Sequence, residues 1–213
     1  MKPTKETIDS IIRQEWKMFH SVNEGTAEPA WCQNDYETFD GMRRGQYEAW
    51  DEETCRCYLR DVEQAMAEGR NLAEEKYIYM MRSTAPAEFA LLSSRVRPID
   101  CETNSLAEEI TEKLLVQTMA LRKQYPYVSR TGRPLRAESD TRNVTSVETY
   151  QYSELLTYSA ATLRALRNHL IEWEQEGISL AKEIQQNSLK TYGFRTMEEA
   201  EEYVKRQAEK RNG

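Results

Sequence analysis

A chain of 213 residues supplies one sizeable domain or two small ones, with enough length to bury a proper core. Its 39% hydrophobic and 31% charged residues exclude the disordered class, and a formal charge of −7 argues against a uniformly basic nucleic-acid surface, so any anion site has to be local. With only 8 Gly and 6 Pro, long stretches carry no breaker, which favours helices over many short strands.

No window approaches the apolar run of about 20 residues that a spanning helix needs. The opening MKPTKETIDS lacks the apolar centre of a signal peptide. The expectation is a cytoplasmic protein with no membrane partner. In a reducing compartment Cys32, Cys55, Cys57 and Cys101 read as thiols, not as disulfides. Two histidines and the absence of CxxC argue against a zinc site, and Glu138, Asp140 and Glu148 lack the spacing of a magnesium or calcium loop.

In chain order, Ile8, Ile11, Ile12, Trp16 and Phe19 recur at helical spacing over 5–22. A polar loop, NEGTAEPAWCQND, follows. Helices are then predicted over 35–49, 51–68 and 70–84, with Asp35 and Asp51 as N-caps and Gly69 as a stop; the stretch STAPAEF closes this half. Leu106, Ile110, Leu114 and Leu121 mark a helix over 104–124. A basic loop spans about 125–145, and further helices fall near 146–158, 160–176 and 178–191, the last two separated by Gly177. Thr196 opens a charged terminal helix, 196–211, with a capping-box pattern.

The halves resemble each other. YETFDGMRRGQYEAWDEETCRCYLRDVEQ lies on VETYQYSELLTYSAATLRALRNHLIEWEQ without a gap, and after a three-residue deletion EGRNLAEE lies on EGISLAKE. Identity of roughly a quarter is worth treating as a repeat signal. The predicted fold is therefore all-α: a single domain, 1–213, built as a helical bundle of two pseudo-symmetric repeats of about four helices each, approximately 5–90 and 103–194, plus the C-terminal helix. Two copies are too few for an open solenoid, so they are expected to pack about a pseudo-twofold axis.

The segments CQNDYETFDGMRRGQYEAW, AEGRNLAEEKYIYMMRSTAPAEF and GRPLRAESDTRNVTSVETYQYSELLTYS resemble the recurrent blocks of an uncharacterised bacterial family, DUF4125-like, from Trp16 to about Phe194. The resemblance brings no established activity. It implies a nucleotidyltransferase-like partner, since some members of that family are joined to such a domain, and so points towards a nucleotide or another anionic small molecule.

Four constellations carry candidate chemistry. Glu15 stands on the stripe of Ile8, Ile12 and Phe19, where it is either an edge residue reaching water or a partly buried acid. Cys32, at the junction Cys32-Gln33-Asn34-Asp35, is either part of a helix cap or a thiol activated by the helix N-terminus. Glu15 and Cys32 are the catalytic candidates. Arg43, Gln46, Tyr47 and Trp50 form an unusual helical face, and the aligned positions include Glu154 and Tyr158. Arg43 and Glu154, opposite in charge and equivalent in the repeat, are expected to meet near the axis unless both are simply solvated. The loop RTGRPLRAESDTRN crowds Arg130, Arg133, Arg136 and Arg142; it is either an anion grip leading into Glu148 or a solvated basic loop paired with acidic neighbours. The string Arg164…His169 resembles a helical ribonuclease motif, but residues five apart lie about 140° apart on a helix and do not share a face.

These residues support a helical domain binding a small anionic or nucleotide-like ligand in a cleft between repeats. The arginine loop, with Arg133 and Arg136, would hold the anion, and Glu15, Arg43, Glu148, Glu154 and Tyr158 would line the floor; Gln46, Tyr47 and Trp50 are further ligand-binding candidates. The alternatives are a hydrolase or transferase using Glu15 or Cys32, or a protein-interaction module. No cofactor is specified.

Overall fold

The computed structural model describes residues 1–22, 35–130 and 132–212, and the fold is all-α. Ten α-helices are present among the described residues: α1 (Lys5–Ser21), α2 (Tyr36–Ala49), α3 (Glu52–Ala67), α4 (Leu72–Thr84), α5 (Pro86–Leu92), α6 (Cys101–Gln124), α7 (Val147–Leu155), α8 (Ala160–Gln175), α9 (Leu180–Leu189) and α10 (Met197–Asn212). No helix is long and apolar enough to cross a membrane, among the described residues.

Each long helix begins where a short polar side chain can accept a hydrogen bond from a first-turn backbone N–H. Thr4, Asp35, Asp51, Asn71, Asp100, Ser146, Ser159 and Ser179 take Thr7, Thr38, Thr54, Glu74, Thr103, Thr149, Thr162 and Lys182 in this way. Thr196 accepts from the Glu199 N–H, and the Glu199 carboxylate accepts from the Arg195 N–H. Two departures from the sequence reading have local causes. STAPAEF is not merely a closing segment: Pro86 stands in the first turn of α5, where its missing N–H is no loss. The helix expected over 146–158 stops at Leu155, because the Thr157 and Tyr158 N–H groups turn back tightly onto Glu154 and Leu155 before Ser159 caps α8.

The packing is reciprocal. α2 lies on α9, α4 on α7, and α3 on α8; α1 touches α2, α3 and α4, and α6 likewise touches α7, α8 and α9. The register also recurs, since Asp51, Glu68, Gly69 and Leu72 in one half stand as Ser159, Glu176, Gly177 and Leu180 in the other. Both glycines hold the left-handed conformation, with φ of 69° and 74°. This register moves the three-residue length difference to the α2–α3 junction, ahead of α3, not after it as in the ungapped alignment.

One continuous core carries Ile8, Ile11, Ile12, Tyr47, Trp50 and Val62 together with Ile110, Leu163, Leu166 and Leu170. A smaller cluster of Leu121, Tyr125, Leu189, Met197 and Ala200 seats α10. α2 and α9 approach each other closely. A Cβ placed on Gly45 would stand 2.6 Å from the Ser188 hydroxyl oxygen and 2.7 Å from its backbone nitrogen, so the side-chain-free edge of α2 is what lets the two backbones meet.

Candidate functional site

Glu15 is buried, at 9% exposure, on the inner face of α1. A carboxylate there requires donors, and α2 and α3 supply them. The Arg43 Nε and Nη2 groups donate to its two oxygens at 2.9 and 2.6 Å, and the Tyr58 hydroxyl donates at 2.6 Å. Arg43 Nη1 donates at 2.8 Å to Glu154 on α7 and at 3.1 Å to the Gln46 side-chain oxygen, while Nη2 also reaches the Tyr47 hydroxyl. All five guanidinium N–H donors are thereby engaged. Arg43 and Glu154, equivalent in the sequence alignment, do meet between the two halves.

Glu154 collects further partners. The Tyr158 hydroxyl donates to it at 2.9 Å, and the Lys76 ammonium on α4 lies 3.4 Å from its other oxygen. Burial works to raise the Glu154 carboxyl, but Arg43 and Lys76, with the hydrogen bonds from Arg43 and Tyr158, outweigh it and hold the group well below the usual carboxylate range. Lys76 follows the same logic with opposite sign: burial works to lower it, and Tyr150 and Glu154 more than reverse that, so it stays charged. Burial pushes the Tyr47, Tyr58 and Tyr158 hydroxyls well above their ordinary value, which keeps them protonated.

Beneath the ions lies an aromatic floor. Trp50 meets the rings of Tyr47, Tyr58 and Tyr158 with centroids 5.2, 5.8 and 6.1 Å away, and Tyr58 and Tyr158 lie 4.6 Å apart. Tyr47, Trp50 and Tyr158 are 0–2% exposed, so they belong to the core and present no surface to a ligand. The side chains of Glu15, Arg43, Lys76 and Glu154 keep 11–14% exposure, which marks one side on which the seam approaches solvent.

That side leads to the basic loop. Lys76 donates to the Tyr150 hydroxyl at 2.9 Å and stands 4.4 Å from the centre of its ring; Arg133 stands 4.9 Å from the same centre. Arg133 is exposed, and one of its nitrogens donates to the Thr145 carbonyl at 3.2 Å. Arg136 points elsewhere: it grips Glu112 with two nitrogens, at 2.6 and 2.8 Å, and lies 3.9 Å from Glu148. Glu148 accepts from the Ala137 N–H, and Arg142 pairs with Glu88. Of the predicted site residues, the fold therefore gathers Glu15, Arg43, Gln46, Tyr47, Trp50, Glu154 and Tyr158 into one cluster with Arg133 above it, and sets Arg136 and Glu148 apart as loop fasteners.

Lys76, Tyr150 and Tyr58 were missed. Lys76 and Tyr58 sit on helical faces that give no signal until α4 and α3 are packed, whereas Tyr150 was legible as the partner of Phe39 in the aligned Glu-Thr-aromatic start. Cys32 lies outside the described residues. Cys55 and Cys57 are buried, and burial raises both thiols. Arg164 pairs with Glu102 at the surface while His169 is buried against the Ala49 carbonyl at 2.9 Å, so the two occupy different faces of α8. Among the described residues, no group of His, Cys, Asp and Glu is arranged to hold a metal ion. The seam residues line neither the concavity beside α5 nor the one beside Asn71.

Fold and site together define an all-α bundle whose halves are joined through a buried ionic seam. The sequence matches the DUF4125 family, proteins of unknown function, over residues 5–202, and the chain belongs to that family. Comparison with curated proteins and with solved structures found no match.

Proposed function

We propose that this domain is two copies of one helical unit packed face to face, and that it binds a small anionic or nucleotide-like ligand where the seam meets solvent. The reciprocal helix pairs and the recurrent cap register support the first part. The second rests on one observation: Lys76 and Arg133 converge on Tyr150. Charge makes the case. Around the seam, Arg43, Lys76 and Arg133 face Glu15 and Glu154, a local excess of one positive charge in a chain of net charge −7. Arg43 has no donor left, so it serves as the anchor that fixes Glu154, which in turn aims Lys76. Lys76 and Arg133 retain unspent donors, and the Tyr150 hydroxyl lies beside them. A hydrolase or transferase centred on Glu15 is the weaker reading, because both of its oxygens are already held by Arg43 and Tyr58.

Thermal unfolding with inorganic phosphate, pyrophosphate and ADP tests the proposal. A ligand at ten times its Kd adds about 1.4 kcal/mol, which for a chain of this size raises Tm by about 3–6 °C. Arg133→Ala and Lys76→Met are expected to abolish the rise while remaining folded. If none of the three anions raises Tm of the wild type, the proposal fails.

A further inference from the structure

A second place in the molecule forms a defined hollow away from the seam. Between α4, α5 and the start of α6 lies an open hollow of about 560 Å³, bordered by Tyr79, Phe89, Val96 and Ile99 on its apolar side and by Arg82 and Arg97 on its polar side. That volume falls within the roughly 300–1,000 Å³ of small-molecule sites. The concavity beside Asn71 compares poorly, since Arg70 is spent on Glu75 and Glu68 and Arg95 on Glu74.

We infer that this hollow is a binding site for a small monocarboxylate with an aromatic or branched apolar body, held at its charged end by Arg82 and Arg97. Phe89 on α5 and Ile99 on the connection to α6 pack against the main core from the outside, leaving apolar surface turned towards the hollow. The hollow is braced: the Tyr79 hydroxyl donates to the Arg97 carbonyl at 2.6 Å, and the Arg97 guanidinium donates to the Tyr158 carbonyl at 2.9 Å. Arg97 is therefore fixed by one bond and keeps its other donors, a preorganised fork suited to a carboxylate. Arg82 comes from the exposed end of α4, where its charge also acts on the Tyr152 hydroxyl.

The lining selects against more highly charged ligands. Asp100 shares the rim, so the ionised side chains there sum to one positive charge, which suits a monoanion better than a phosphate dianion. Asp100 accepts from the Thr103 N–H and hydroxyl at 2.8 Å each, which occupies both of its oxygens, while the Arg97 charge also acts on it. Apolar walls with few convergent polar groups are what a carboxylate bearing a ring or branched chain requires.

An amide NMR titration of the whole chain with benzoate, and with its neutral analogue benzamide, decides the matter. Benzoate is expected to give saturable shifts around Tyr79, Phe89 and Ile99, with Kd on the order of 1 mM or tighter, and benzamide is expected to bind at least about tenfold more weakly. Arg82→Gln, an exposed change that leaves the fold intact, is expected to weaken benzoate about tenfold; Arg97→Gln acts in the same direction but also loses the Tyr158 contact. Arg133→Ala is expected to bind benzoate as the wild type does, which separates this site from the seam. Absence of saturable shifts, equal binding of benzamide, an unaffected Arg82→Gln, or loss of binding in Arg133→Ala would each overturn the inference.

Discussion

Arg43 is a single cation holding two carboxylates from different helices, Glu15 buried and Glu154 with 13% of its side chain exposed, so its removal is felt twice. Arg43→Met would strand Glu15 and Glu154 with only tyrosine hydroxyls and, for Glu154, Lys76. Breaking a buried pair in this way costs about 3–5 kcal/mol, and urea unfolding at neutral pH is expected to show a loss of that size. The seam also gives stability an acid limit. The folded Glu154 carboxyl lies below its ordinary value of 4.5, so its contribution is complete above that pH and is lost as pH falls further. Glu154→Gln should therefore flatten the decline in unfolding free energy below about pH 4.5, by up to about 1.4 kcal/mol per pH unit. An unchanged slope would mean that Glu154 does not carry the acid sensitivity.

At the scale of the element, α2 packs closely on α9. Replacing Gly with Ala inside a helix ordinarily stabilises by up to about 1 kcal/mol. At Gly45 the new methyl meets the Ser188 backbone nitrogen at 2.7 Å, which no side-chain rotation relieves. Overpacking of this kind costs about 1–3 kcal/mol, so Gly45→Ala is expected to lower stability in denaturant melts. Helix starts were legible because caps are local: Asp35, Asp51 and Thr196 announce themselves through the residues that follow. Gly45 was not legible, because nothing in GMRRGQ shows that another backbone lies against it. Nor was α5, whose short run Pro86–Leu92 owes its helix to packing on α4 more than to an apolar period.

For the whole molecule, the main core draws on both halves, with Ile12, Val62, Leu163 and Leu170 in one cluster. Neither half then has a complete core of its own, and unfolding should be a single cooperative step. Urea transitions followed by tryptophan emission, from Trp16, Trp31 and Trp50 in one half and Trp173 in the other, are expected to coincide with the loss of helix by circular dichroism; separated midpoints would show that the halves fold independently.

The amino-acid sequence alone determined the helical class, most helix boundaries and the resemblance between halves, since apolar period, caps and left-handed glycines act over a few residues. It also pointed to Arg43 and Glu154, which align between the halves with opposite charges, and the two side chains do meet. Only the tertiary structure decided that Tyr47, Trp50 and Tyr158 close off as core, that Arg136 is spent on Glu112, and that Lys76 and Tyr150 join the seam. Burial and the choice of hydrogen-bond partner depend on which helix faces meet, and residues far apart along the chain settle that.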